Sequence, residues 1–449
     1  VIITDNRNPL KTVPWIVVLL FAPVVGLLFY FFFGQNLSKR RILSRRMRKR
    51  IHMQLLEAGP DERKKLPAQY RPLARLLGNA GHSIPLCGSR ITPYVDGASK
   101  MEALLGDIAA AHDHIHLQYY ILNDDTTGLR LRNALMAKAR EGVEIRILYD
   151  DVGSSSVHKR FFEEMRRAGI EVRPFLHVKF PLFTSKVNYR NHRKIAVIDG
   201  RTGYIGGMNI ADRYVVGTDW GTWRDTHFRV EGPGVAGLQA SFLSDWAATT
   251  RIRLRDEHYY PRTERFTHNI MQVLPSGPFG KWRTLLQADS YAIANARRRI
   301  WIETPYFLPS DVLNTALQTA ALAGIDVRLL LPARSDSRVV DLATHSFLDD
   351  MLKAGAKVYF YQPGFLHSKL LLIDDGLSVI GSANMDFRSF EHNFEINAFV
   401  YDGDFAAVMA DIFRRDMEQS RLVTPGEWFH RPRSRRFAES LMRLFSPLL

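Results

Sequence analysis

An 18-residue stretch, His192-Arg-Lys-Ile-Ala-Val-Ile-Asp-Gly-Arg-Thr-Gly-Tyr-Ile-Gly-Gly-Met-Asn209, returns as His367-Ser-Lys-Leu-Leu-Leu-Ile-Asp-Asp-Gly-Leu-Ser-Val-Ile-Gly-Ser-Ala-Asn384. His, Lys at +2, Asp at +7, Gly at +14 and Asn at +17 hold the same offsets in both. One short motif carries little weight, but a duplicated five-point match is hard to produce by chance. Other landmarks repeat with it. Gly142-Val-Glu-Ile-Arg-Ile-Leu-Tyr149 answers Gly324-Ile-Asp-Val-Arg-Leu-Leu-Leu331, Gly169 to Arg173 answers Gly355 to Tyr359, and His114 to Leu122 answers Arg299 to Phe307. The near-constant separation means a duplicated domain.

Within each copy, short β-branched runs alternate with helical patterns: a helix over 101–112, a strand, a helix over 130–141, another strand, and a helix over 157–168. That alternation predicts an α/β fold with a parallel or mixed sheet covered by helices. The motifs themselves read as strands, Lys194 to Ile198 and Lys369 to Ile373. Turns follow at Gly200 and Gly376, and second strands end in Gly206-Gly207 and Gly381-Ser382. Two such sheets are expected to pack face to face about a pseudo-twofold axis that brings the motifs together.

On a strand, His192 and Lys194 face one side, as do His367 and Lys369. Joined across the axis, they form one pocket with two imidazoles, two ammonium groups and the amides of Asn209 and Asn384. Cations of this kind neutralise the oxygens of a phosphodiester and the charge of its pentacovalent transition state. One imidazole can attack phosphorus while the other moves the proton, since histidine titrates near neutral pH. A nucleophilic histidine needs an orienting carboxylate. Glu395 and its counterpart Asp225 are the candidates, each expected to hold the histidine of its own copy. The pocket requires no metal and no cofactor.

Val13 to Gly34 is a 22-residue run without a charge, and about 20 residues span a bilayer. Eight basic residues between Lys39 and Arg50, with no acid among them, follow it; Arg7, Lys11 and Asp5 precede it. The positive-inside rule then places everything after residue 35 in the cytoplasm. The 449-residue chain carries a formal net charge of +15, which suits anionic partners. Its one cysteine, Cys87, excludes an internal disulfide and any cysteine metal site.

HxKxxxxD followed by GxxN or GSxN, twice in one chain, resembles the phospholipase D superfamily. The flanking WRDTHFRVEGP, IETPYF, HSKLLLIDD, GSANMDFRS and NFEIN are similar to its bacterial cardiolipin synthase branch. The resemblance implies two tandem phospholipase D-like α/β domains related by pseudo-twofold symmetry and preceded by a transmembrane helix. Catalytic residues carry over to His192, Lys194, Asp199, His367, Lys369 and Asp374, and pocket residues to Asn209, Asn384 and Ser382, where the first copy has Gly207. It also favours His192 as nucleophile and His367 as acid/base. In the strand picture the +7 aspartates point away from the histidines and hold the scaffold. Glu303, opposite Gln118 in the first copy, is a candidate for tuning the pocket.

The expected division is a stub and span over 1–34, a basic helix and linker over 35–90, repeat domains over 91–260 and 261–425, and an amphipathic tail over 426–449. The expected reaction converts two phosphatidylglycerols to cardiolipin plus glycerol through a phosphatidyl-histidine. Anionic phospholipids and the bilayer are its partners. A hydrolytic phospholipase D is the nearest alternative, a non-catalytic membrane scaffold the alternative of another class, and a nuclease leaves the span unexplained. His177-Val-Lys179 lacks the rest of the motif and reads as loop. His112, His114 and His116 read as strand or surface residues, and the pairs Asp124-Asp125, Asp150-Asp151 and Asp349-Asp350 do not form a metal signature. For the C-terminal tail, membrane contact and packing on the body are equally good expectations.

Overall fold

A computed structural model describes residues 9–30, 61–177, 188–254, 257–279, 281–447 and 449. Two mixed sheets dominate it. The first runs, edge to edge, Arg90–Tyr94, His227–Glu231, Thr202–Gly206, Ile195–Ile198, His114–Tyr119, Glu144–Asp150, Glu171–Phe175. The second repeats that order as Ile270–Ser276, Glu395–Tyr401, Leu377–Gly381, Leu370–Ile373, Arg299–Glu303, Asp326–Pro332, Lys357–Tyr361. Leu86–Cys87 and Ser420–Leu422 are added at its two edges. In each sheet the three strands joined by helical crossovers are parallel, and the motif hairpin is antiparallel.

The hairpin strands are buried on both faces, which is why Ile195–Ile198 and Leu370–Ile373 are uninterrupted apolar runs. One face packs on its own helices. The other meets the opposite sheet, where Ile195, Val197, Ile205, Phe228 and Val230 join Leu370, Leu372, Ile380, Ile396 and Val400 in one core. Each such side chain contributes about 1.5–3 kcal/mol when fully buried, so the two copies are held as one body. The strands begin one residue later than the sequence suggests: His192 to Lys194 and His367 to Lys369 lie in extended chain just before them.

The segment expected to be a linker is partly built into the second domain. Leu66, Leu73, Ala74 and Leu77, around helix Arg71–Gly81, enter its core, and Leu86–Cys87 pairs with Ile270 and Met271 at its edge. The apolar N-terminal run also differs from one continuous helix within the described residues. Helix Pro9–Phe21 stops and helix Pro23–Phe29 follows. Pro23 supplies no N–H and restricts Ala22, which is no longer helical at φ −138°. Among the described residues no helix is long and apolar enough to cross a membrane. The end of the run and the basic stretch Lys39 to Arg50 lie outside the described residues, as do residues 178–187, which include Lys179 of the second HxK.

Asp199 and Asp374 close the hairpins in the same left-handed conformation, φ 51° and 52°. The Asp199 carboxylate accepts from the backbone N–H groups of His112, Asp113 and His114 at 2.9–3.0 Å. Asp374 accepts likewise from Arg297, Arg298 and Arg299. Each aspartate therefore ties its hairpin to the start of the neighbouring central strand, remote from its histidine. Asp199→Ala is expected to cost on the order of 2 kcal/mol by leaving those donors without an acceptor. Denaturant unfolding of the variant beside the unsubstituted protein checks this.

Candidate active site

The pocket is assembled by strand pairing between the copies. Gly364, Phe365 and Leu366 pair in parallel with Thr222, Trp223 and Arg224. At the pseudo-equivalent place Asn191 bridges Phe394. The N–H of His192 donates to the Phe394 carbonyl at 2.9 Å, and that of His367 to the Arg224 carbonyl at 2.7 Å. Buried Asp150 fixes the first of these segments by accepting from the N–H of Asn191 at 2.8 Å.

This pairing decides which carboxylate meets which histidine. Nδ1 of His192 lies 3.0 and 3.1 Å from the two oxygens of Glu395, and Nδ1 of His367 lies 2.6 Å from Oδ2 of Asp225. Each histidine is thus held by the acid of the other copy. The sequence-based expectation that each acid serves its own copy is overturned. The acid one residue beyond each bridge projects across the axis, and its own motif histidine belongs to a different strand end. Nδ1 of His192 also faces the Ser382 carbonyl at 3.0 Å. Surrounded by acceptors, it must carry the hydrogen, and Nε2 keeps its lone pair. At His367 the Asp225 carboxylate at 2.6 Å is the acceptor for Nδ1–H.

Lys194 donates to the His192 carbonyl at 2.6 Å, and Lys369 lies 2.8 Å from Nδ1 of His367 and 3.8 Å from Asp225. Burial drives the Lys194 ammonium well below its ordinary range and brings Lys369 to about 8. Burial also lowers His192, against the pull of Glu395, and takes His367 to about 3, helped by Lys369. Burial works against the charge of both acids. The His192 imidazole nevertheless keeps Glu395 below the usual carboxylate range, and Lys369 and His367 do the same for Asp225. The result is an anionic carboxylate behind each neutral imidazole, with depressed ammonium groups beside them.

Ser382 donates to Glu395 at 2.5 Å, joined by Ser389 at 2.9 Å and Asn393 at 3.2 Å. Gly207 has no such role. A Cβ there would meet Asp225 Oδ1 at 2.1 Å, so the shorter acid occupies the space a side chain would need. Asn209 receives the N–H of Ile121 at 3.1 Å and donates to the Tyr214 hydroxyl at 2.7 Å. Asn384 donates to Asp386 at 3.1 Å. Glu303 is buried and raised to about 8 by desolvation and then by Asp416; it lies 3.8 Å from Arg224, whose guanidinium pairs with Asp416 at 2.5 Å. Gln118 instead donates to Asp245 at 2.5 Å, which also pairs with Arg193.

Sequence reasoning missed the aromatic walls. Tyr120 stands edge-on to His192 with ring centres 5.0 Å apart, and Tyr214, Trp223 and Phe365 surround His367 at 5.1–5.7 Å. It also missed Ser389, although the 175-residue motif offset carries Tyr214 onto it. His114 and His116 are buried strand residues sharing Gln239. Asp113, His114 and His258 bring ligand-type atoms within 4.8 Å of one another, at the start of strand His114–Tyr119, where Asp199 accepts from the backbone of Asp113 and His114.

A family model described as "Cardiolipin synthase, PLD-like domain" matches residues 104–246 and 291–417. The chain belongs to this family. A second model, "Phospholipase_D-nuclease N-terminal", matches residues 1–35. The chain is 41% identical over 458 residues to cardiolipin synthase 2 of Bacillus cereus, covering all of this chain and 89% of that protein. It is 39% identical to the major cardiolipin synthase ClsA of Bacillus subtilis, over 100% and 96% of the two chains. The fold is shared with the crystal structure of phosphatidylserine synthase from Haemophilus influenzae, at 14% identity and a TM-score of 0.64 over 84% and 97% of the chains.

In the free enzyme, Lys369 is cationic below about 8 and neutral above it. If its charge binds the phosphodiester, kcat/KM falls as pH rises through about 8, well short of the usual lysine range. Asp225 holds that value up, so Asp225→Asn should move the alkaline limb of its residual activity to lower pH. A pH profile of kcat/KM for both proteins checks the sign.

Proposed function

We propose that this chain is a cardiolipin synthase, carrying a phosphatidyl group from one phosphatidylglycerol to another. The observation that supports it most is the pair of imidazoles, each with Nδ1–H held by a buried carboxylate from the other copy, within a body that belongs to the cardiolipin synthase family. Nε2 of His192 attacks phosphorus of the first lipid. The P–N bond forms, the P–O bond to glycerol breaks, and His367 gives its proton to the departing glycerol oxygen. The terminal hydroxyl of the second phosphatidylglycerol then attacks, giving its proton to His367, and the P–N bond breaks. One cardiolipin and one glycerol result, with both histidines restored.

A His367 held near 3 is not protonated at neutral pH in the empty pocket. Burial and Lys369 set that value. A bound phosphodiester anion offsets the charge of Lys369 and Lys194, and its arrival recruits the proton that His367 delivers. Lys194, Lys369, Asn209 and Asn384 line the phosphate, while Asp199 and Asp374 act through the scaffold. The apolar run from Val13 serves as the membrane segment, the basic stretch after it lies on the cytoplasmic face, and the catalytic body works on the inner leaflet of a bacterial cell membrane.

With labelled phosphatidylglycerol in bilayers and no divalent metal, the purified protein should yield cardiolipin and glycerol, and His192→Ala should yield neither. Phosphatidic acid plus glycerol would instead identify a hydrolase. Removal of one orienting charge, as Glu395→Gln or Asp225→Asn, is expected to lower kcat about 10²–10⁴-fold. Alkaline denaturation of His367→Ala after reaction with a phosphatidyl ester of a phenol, whose leaving group needs no general acid, should trap the phosphatidyl group on His192, seen as a mass increment on that peptide. Trapping on another residue would refute the assignment of the nucleophile.

A further inference from the structure

The C-terminal helix Arg433–Arg443 is turned the wrong way round for an ordinary surface helix. Such helices bury an apolar stripe and expose a charged one. Here the buried face centres on Glu439, 1% exposed. Its carboxylate accepts from Arg431 at 2.7 Å and Arg435 at 3.2 Å. Arg431 continues to Asp349 at 2.7 Å, Arg435 reaches His345 at 3.2 Å, and Arg443 donates to the Ser346 carbonyl at 3.2 Å. These contacts lock the helix onto helix Arg338–Lys353, with Met442 against the core below.

At 100° per residue, a face centred on Glu439 places Phe437, Leu441 and Leu444 on the opposite side, with Phe445 at its edge. They are 71%, 42%, 74% and 45% exposed. Arg433 flanks them and is exposed, whereas Arg436 leans back to Asp349 at 3.8 Å. Glu439 is the only acid between residues 431 and 447, and it is turned inward. The outward face therefore offers large apolar side chains and a flanking cation, with no carboxylate.

We infer that this helix docks the catalytic body on an anionic bilayer. Phe437, Leu441, Leu444 and Phe445 enter the boundary of headgroups and acyl chains, and Arg433 meets lipid phosphate. A second copy of the chain is a poorer occupant, because the face carries exposed Arg433 and no carboxylate to pair with it. The charge pattern fits the interfacial class of amphipathic helix, whose binding joins apolar burial to attraction for anionic lipid. The inference deepens the synthase reading and rests on its phospholipid substrate. Asp336, two residues before the supporting helix, accepts the Tyr306 hydroxyl at 2.9 Å and acts electrostatically on Lys369. One helix thus supports the docking face while its start borders the pocket.

Simple vesicle binding is uninformative, since the N-terminal apolar run can bind by itself. The sole native cysteine, Cys87, is buried, so spin labels can be placed singly in the full chain on a Cys87→Ser background. Labels at Phe437→Cys and Leu444→Cys in phosphatidylglycerol–phosphatidylcholine vesicles should be accessible to oxygen and shielded from a water-soluble nickel chelate. A label at exposed Asp411 should show the reverse. Chelate access at 437 and 444 equal to that at 411 overturns the inference, and so does spin–spin broadening between copies in detergent. Phe437→Glu/Leu444→Glu should lose at least tenfold activity on bilayer phosphatidylglycerol yet keep that on a short-chain monomeric form. Equal loss on both substrates overturns docking in favour of a structural role. A wild-type protein inactive on both substrates refutes the synthase reading, while the labels still report whether the helix docks.

Discussion

The structure depends on two short backbone pairings that cross the pseudo-twofold axis, Asn191 with Phe394 and the 364–366 segment with 222–224. Backbone hydrogen bonding fixes position more tightly than apolar packing, which is non-directional. The shared core of the two sheets brings the copies together, and the crossed pairings set the register to within one residue. A slip of one residue would turn Glu395 and Asp225 to the other side of their segments. The catalytic geometry is therefore a property of the interface, and neither copy contains it alone.

Burial then does the electrostatic work. Two lysines and two histidines in one dry pocket repel one another and lose hydration, so their charged forms are disfavoured. The two acids stay ionised because each sits against an imidazole and near a lysine. An empty pocket of this kind favours neutral imidazoles and loosens the hold of the lysines on their protons. A phosphodiester reverses the balance by supplying the missing negative charge, which couples substrate binding to the protonation the reaction needs. A metal ion is one way to bring positive charge to phosphate; a cluster of depressed ammonium groups that regain their protons on binding is another.

The duplication, the mixed α/β architecture and the place of the motif at the sheet–sheet junction were legible because they depend on periodicity and repeat offset. The scaffolding position of Asp199 and Asp374 was legible too, from the alternation of a strand. The partnership of the acids was not. Sequence order suggests that Glu395 serves His367, whereas the pairing across the axis gives it to His192, and no local pattern encodes that choice. The contact of Glu303 with Arg224 of the other copy crosses the axis in the same way, and sequence order does not encode it either. The stretch before residue 90 was underestimated because two residues at a sheet edge and one short helix carry too weak a pattern to show that they complete a domain lying later in the chain.

The two halves are alike in plan and unlike in detail, and the difference bears on which histidine attacks. Glu395 shares its charge among the hydroxyls of Ser382 and Ser389, the amide of Asn393 and the His192 ring. A carboxylate so well solvated by fixed donors is a weak base, suited to orienting a neutral imidazole without taking its proton. Asp225 has a shorter reach, the N–H of Thr226 at 2.7 Å and a closer contact to its histidine, 2.6 Å against 3.0 Å. Less satisfied by neutral donors, it depends on Lys369 and His367 to stay below the usual carboxylate range. A nucleophile should remain neutral and keep its lone pair; a proton carrier should become cationic and return. The substitution of Gly207 for Ser382 follows the same division, since the space that holds a donor hydroxyl behind Glu395 is filled by the Asp225 carboxylate itself. These differences set His192 and His367 in unlike surroundings, and the division of labour proposed for them draws on that asymmetry.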